Sequence, residues 1–87
     1  MALALILHKV ADYDKWRKVY DSAADMQAAG GVTQQSVHRA VEDPNTVLVH
    51  HYFESIGAAR AFFDNPQLAE ALQRSGVQGE PRVEFFE

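Results

Sequence analysis

Cysteine is absent from this chain, which excludes disulfides, thiolate metal sites and thiol catalysis. There is no glycine-rich phosphate loop, no G-x-S-x-G turn and no dinucleotide fingerprint, so no cofactor is expected. Basic runs interleaved with aromatics are also missing, and the formal net charge is −4. That balance argues against a nucleic-acid backbone or an anionic membrane surface as the main partner. Long hydrophobic runs are lacking as well. The opening "MALALIL" meets His8-Lys9 after seven residues, too soon for a signal or membrane segment, and reads as a strand. A cytoplasmic location is the default expectation.

What remains is a chain of 87 residues, read as a single domain spanning residues 1–87. A chain of this size buries a modest share of its surface, so its stability rests on a dense core or a partner chain. No internal repeat or low-complexity segment interrupts it.

The punctuation divides the chain cleanly. Residues 3–10, "LALILHKV", predict a first strand. Asp12 is placed to cap a helix, with Asp14 near the positive end of its dipole. Trp16, Val19, Tyr20 and Ala23 recur at helical spacing, and Gly30-Gly31 stops the helix. Residues 32–42 have the Val and Thr content and polar alternation of a half-exposed strand. "DPNT" suits a type I turn, with Pro44 second and Asn45 third. Residues 46–54 return as a third strand. Ser55 caps a second helix, which Asn65-Pro66 interrupts and restarts before a stop at Gly76. Residues 82–86, "RVEFF", form a fourth strand.

The order strand, helix, strand, strand, helix, strand predicts a ferredoxin-like α+β sandwich, with two helical segments on one face of a four-stranded antiparallel sheet. Such a sheet should alternate apolar and polar residues. The first and third strands do not alternate: "LALIL" and "VLV" are apolar on both sides. Both strands are central in this fold, and the helices cover only one face. A second copy packed sheet against sheet is the economical cover, so a homodimer with an obligate-sized interface is expected.

Four histidines carry the candidate chemistry. His50 and His51 are adjacent, but successive strand residues point to opposite faces. His50 shares a face with Leu48 and Tyr52, His51 with Val49 and Phe53, so the two cannot reach one metal ion or one substrate within a subunit. His8 and His38 lie on strands beside the third, and a cluster on one face depends on register, which a one-residue slip reverses. The ordinary role for each is structural. A metal site is not expected, since HExxH-type ligand spacing is missing. General acid–base work in a pocket between sheet and helices suits an imidazole. Tyr13, Trp16 and Tyr20, with Phe62-Phe63, sit at core spacing. Their functional reading is an aromatic slot for a flat, largely apolar molecule.

The segments "HKVADYDKWRKVYD", "EDPNTVLV" and "FES…AARAFFDNPQLAEALQRSGVQGEPRVEFFE" span most of the chain. In order and spacing they resemble the small dimeric α+β barrel proteins of the antibiotic-biosynthesis monooxygenase superfamily, including short cyclase-like members. The resemblance implies a ferredoxin-like subunit, two sheets forming a barrel in the dimer, and a pocket in each subunit. Relatives of this kind include cofactor-independent oxygenases acting on anthrone-type polyketides, polyketide cyclases, haem-degrading enzymes and muconolactone isomerases. The superfamily has no universal catalytic signature, so no residue is carried across as catalytic, and no Asn–Trp–His set supports haem degradation.

The expected function is therefore a cofactor-independent monooxygenase or cyclase acting on a flat aromatic or polyketide-like substrate. His51 or His8 is the expected base, and Tyr52 or His38 the donor to a developing enolate. Trp16, Tyr20 and Phe63 would form the walls, with His50 a further substrate contact. The alternative is a non-catalytic ligand-binding or accessory homodimer whose histidines are structural.

Overall fold

The computed structural model describes all 87 residues. The chain runs β1 (Ala2–Val10), α1 (Tyr13–Ser22), α2 (Ala24–Ala29), β2 (Gln34–Arg39), β3 (Thr46–Phe53), α3 (Ile56–Phe63), α4 (Pro66–Arg74) and β4 (Val77–Phe86). Its four strands make one antiparallel sheet in the order β2-β3-β1-β4, so the two strands without alternation are the central ones. This is the α+β ferredoxin-like arrangement, with the helices packed on one face.

The helix starts follow from local chemistry. Asp12 accepts from the Asp14 amide at 3.0 Å, Ser55 from the Ala58 amide at 3.1 Å, and Asn65 from the Gln67 amide at 2.9 Å. Each satisfies one amide that the first helical turn leaves free. Pro66 occupies the first turn of α4, where a missing N–H costs nothing. Asp43 and Thr46 close the hairpin turn through the Thr46 amide and the Asp43 carbonyl at 2.9 Å.

Three expectations are corrected. The helix read as continuous from Asp12 to Gly30 breaks at Ala23 into α1 and α2. Just before the break, the Ser22 hydroxyl donates to the Val19 carbonyl at 2.7 Å, a local bond that competes with the helical ladder. The second strand is shorter than residues 32–42, because its register with β3 ends at Arg39↔Val47 and a loop follows. The fourth strand begins at Val77 rather than residue 82. Its pairing with β1 slips between Leu7 and Lys9. Gly79, at φ 71°, supplies the left-handed backbone that such an irregularity favours.

On the helix side, β1 contributes Ala2, Ala4, Ile6, His8 and Val10, and β3 contributes Val47, Val49, His51 and Phe53, all buried. The core falls into two clusters, one around Phe53 and Phe62 and one around Trp16, Ile6 and Val49. On the other side Leu3, Leu5 and Leu7 stand beside Leu48, His50 and Tyr52, and no helix covers them. No helix is long and apolar enough to cross a membrane.

Candidate active site between sheet and helices

A slot of about 610 Å³, counted to its open mouth, lies between the sheet and the helices. Ile6 and Val49 form its floor, α1 brings Trp16 and Tyr20 to one side, and α3 and α4 bring Phe62, Phe63 and Leu72 to the other. No Asp, Glu, Lys or Arg lines it. Its walls are the apolar and aromatic kind that small-molecule sites use.

His51 enters the slot from β3. Register sets Gln35 directly opposite it on β2, so both side chains rise from the same face. Tyr20 descends from α1 between them. Its hydroxyl donates to Gln35 Oε1 at 2.6 Å and lies 2.9 Å from His51 Nε2. A phenol has one proton. With that proton on Gln35, the Tyr20 oxygen accepts from His51 Nε2–H, and the imidazole lone pair is then at Nδ1. His51 Nδ1 is buried and has no hydrogen-bond partner.

Burial sets the protonation states. It pushes the His51 imidazole down from 6.5 to about 4, so the ring is neutral near pH 7. It pushes the Tyr20 phenol up to about 12, so that group keeps its proton. Arg17, whose guanidinium lies 5.5 Å from the Tyr20 ring centre, opposes that rise, and Asp21 reinforces it.

His8 enters the same slot from β1. The ring is 5% exposed, and neither nitrogen has a hydrogen-bond partner. Burial holds it, too, at about 4. Its ring lies 5.4 Å from Trp16, Trp16 stacks on Tyr20 at 4.9 Å, and Tyr20 lies 5.9 Å from His51. The two histidines are thus at the ends of one aromatic row.

The structure brings together five of the eight residues singled out from sequence: His51, His8, Trp16, Tyr20 and Phe63. The other three lie on the uncovered face of the sheet and do not line the slot. His50 and Tyr52 are each one residue from His51, which by strand parity puts them on the opposite side. His38 pairs with Leu48 and lies beside His50, with ring centres 5.3 Å apart and the rings tilted by 52°. Its nearest polar partner is the Ser36 hydroxyl at 3.2 Å. Tyr52 and His38 are therefore corrected as donors to a ligand in this slot, and His50 as a contact to it.

Three polar residues escaped the sequence reading: Gln35, Gln27 and Ser75. Gln27 and Ser75 are buried and line the slot. A polar residue on an otherwise apolar helical face is the available signal for both. Gln35 has none, because only register brings it to His51.

No family model and no curated protein matches the sequence. Solved structures do match its fold. The cofactor-independent oxygenase SnoaB from Streptomyces nogalater superposes with a TM-score of 0.81 at 12% identity, covering 99% of this chain and 90% of that one. A structure named antibiotic biosynthesis monooxygenase gives 0.77 at 8% identity, with 100% and 97% covered. A conserved protein from Methanosarcina mazei Go1 gives 0.76 at 12% identity, with 99% and 91% covered. At these identities the likeness is one of fold.

Proposed function

We propose that this chain is a cofactor-independent oxygenase or cyclase for a flat aromatic or polyketide-like substrate, with His51 as the base. One observation carries the reading: a neutral imidazole, oriented by Tyr20 and Gln35, presents an unpartnered nitrogen inside an uncharged aromatic slot. The neighbouring oxygenase fold supports it by analogy. The subunit acts as a single-domain protomer of a homodimer, in which the uncovered leucine face is buried against a second copy.

His51 takes a proton from an activated phenol or carbon acid. The apolar slot penalises an isolated imidazolium, but a developing enolate beside it makes a net neutral pair, and the penalty falls as the proton moves. Tyr20 then accepts from His51 Nε2–H and holds the ring against rotation. In the oxygenase case the carbanion reduces dioxygen. A C–O bond forms, the peroxide takes the proton back from His51, and O–O cleavage with loss of the second hydrogen on that carbon releases water and leaves a carbonyl. In the cyclase case the carbanion attacks a carbonyl carbon of the same substrate. Of the two buried histidines, His51 has an orienting partner and His8 has none, which favours His51 as base.

The test is oxygen consumption and quinone formation with an anthrone, after subtraction of spontaneous oxidation. His51→Ala should lose roughly 10²-fold or more in turnover, in the range general-base removal produces. Tyr20→Phe should lose less, because the ring keeps its base and loses its restraint. Turnover unchanged in His51→Ala removes that residue from the role. Tight binding of the anthrone with no chemical change would select the ligand-binding alternative.

A further inference from the structure

Both ring nitrogens of His8 are buried without a hydrogen-bond partner, and the mechanism above makes no use of this side chain. Its exposure is 5%, it lines the slot, and both of its ring nitrogens are unbonded. A group buried in this way costs stability in the free protein. Buried polar groups are ordinarily partnered, and a molecule in the slot would supply the partner that the chain does not.

Its surroundings define what that is. Ala4 pairs with His51, and His8 lies four residues further along β1, about 14 Å of strand at ~3.4 Å per residue. His8 sits where the β1–β4 register slips. The end of α4 comes to the same corner: Ser75 is followed by Gly76, whose carbonyl accepts from the Ala11 amide at 3.0 Å. Ser75 is 3% exposed and lines the slot. Its hydroxyl donates to the Leu72 carbonyl at 2.8 Å, which leaves its oxygen able to accept. Between the two ends run Trp16 and Tyr20, stacked on one another at 20°, with Phe62 and Phe63 also lining the slot.

We infer that His8 and Ser75 form a second polar subsite, at the opposite end of the slot from His51, which takes a neutral oxygen substituent of a flat polycyclic ligand. A phenolic hydroxyl or a carbonyl meets the requirement, since a neutral imidazole offers one donor and one acceptor. A carboxylate does not, because no cation lines the slot to balance it. The inference deepens the proposed function and rests on its reading of the slot. It gives the ligand a polar group at each end of its long axis, with His51 acting on one and His8 positioning the other.

Trp16 is the only tryptophan and lies 5.4 Å from the His8 ring, so quenching of its fluorescence reports occupancy. The probes are anthraflavic acid, a tricyclic quinone with a hydroxyl at each end, and its analogue with one hydroxyl removed. Both are titrated slightly below neutral pH, where the phenols keep their protons. The wild-type protein should bind anthraflavic acid about tenfold more tightly than the analogue, the effect of one well-made buried hydrogen bond. His8→Leu should bring that ratio close to one, and His8→Gln, which keeps a donor and an acceptor, should restore part of it. The free His8→Leu protein should melt roughly 4 °C or more above wild type, because two orphaned polar atoms are gone.

A ratio unchanged in His8→Leu overturns the subsite, as does a His8→Leu protein that melts several degrees lower, which would make His8 a structural group. Equal wild-type affinity for both probes also overturns it, while quenching by both keeps the slot as a binding site. No quenching by either removes the proposed slot function and the subsite together.

Discussion

Lowering the pH from about 7 to about 4.5 should unfold this protein through its two buried histidines, well before most of its carboxylates protonate. In the unfolded chain each imidazole titrates near about 6.5. In the fold, burial holds His8 and His51 at about 4. Between those values the unfolded state binds protons that the fold refuses. Stability is therefore complete above about 6.5 and is lost as the pH falls towards about 4. The gap corresponds to about 3 kcal/mol for each histidine at 1.36 kcal/mol per tenfold change. Two such groups approach the whole stability of an ordinary domain, about 5–15 kcal/mol. The slope near pH 5 approaches ~2.7 kcal/mol per pH unit. No carboxylate lines the slot to offset it. Asp43, whose carboxyl is held below its ordinary value first by the Thr46 hydroxyl and then by the Asn45 amide, adds its loss only at lower pH. The assay is urea unfolding followed by circular dichroism across that range, at one fixed protein concentration so that association does not vary. His8→Leu should halve the slope. A free energy of unfolding that stays flat between about pH 7 and about pH 5 refutes the argument, because neutral burial of both rings requires the slope.

Two further outcomes test other parts of the structure. A Cβ added at Gly30 would collide with the Phe62 ring and crowd the Met26 carbonyl. Gly30→Ala should therefore lower stability by about 1–3 kcal/mol, read by urea unfolding, and an unchanged midpoint would mean that α2 does not pack on Phe62 this closely. Leu5 stands at the middle of the uncovered face, between His50 and Glu84. Leu5→Lys should convert the proposed dimer to a monomer in light scattering while the circular dichroism spectrum is kept. A dimer that persists would place the contact elsewhere.

Much of the fold is written locally. Asp12, Ser55 and Asn65 cap their helices in the way their side chains dictate, since a cap needs only the next two or three residues. The apolar character of β1 and β3 on both sides marks them as the central strands, and parity alone separates His50 from His51. The resemblance to antibiotic-biosynthesis monooxygenases rests on segment order, and the solved structures share the fold.

The site was less legible, because it depends on how distant strands slide past one another. A hairpin closed tightly on Asp43–Thr46 would set His38 opposite His51. The observed hairpin carries a longer loop on the β2 side, and Gln35 stands there instead. A shift of three residues is odd, so it exchanges faces: His38 goes to the uncovered side, and Gln35 comes to Tyr20. β4 likewise pairs with β1 on both sides of a register slip near Gly79. Caps, turns and alternation are settled by neighbours along the chain, so they can be read from it directly. Which polar side chains meet is settled by pairing between strands and helices far apart in sequence, where one residue of slip reverses every side chain, so it emerges with the folded sheet.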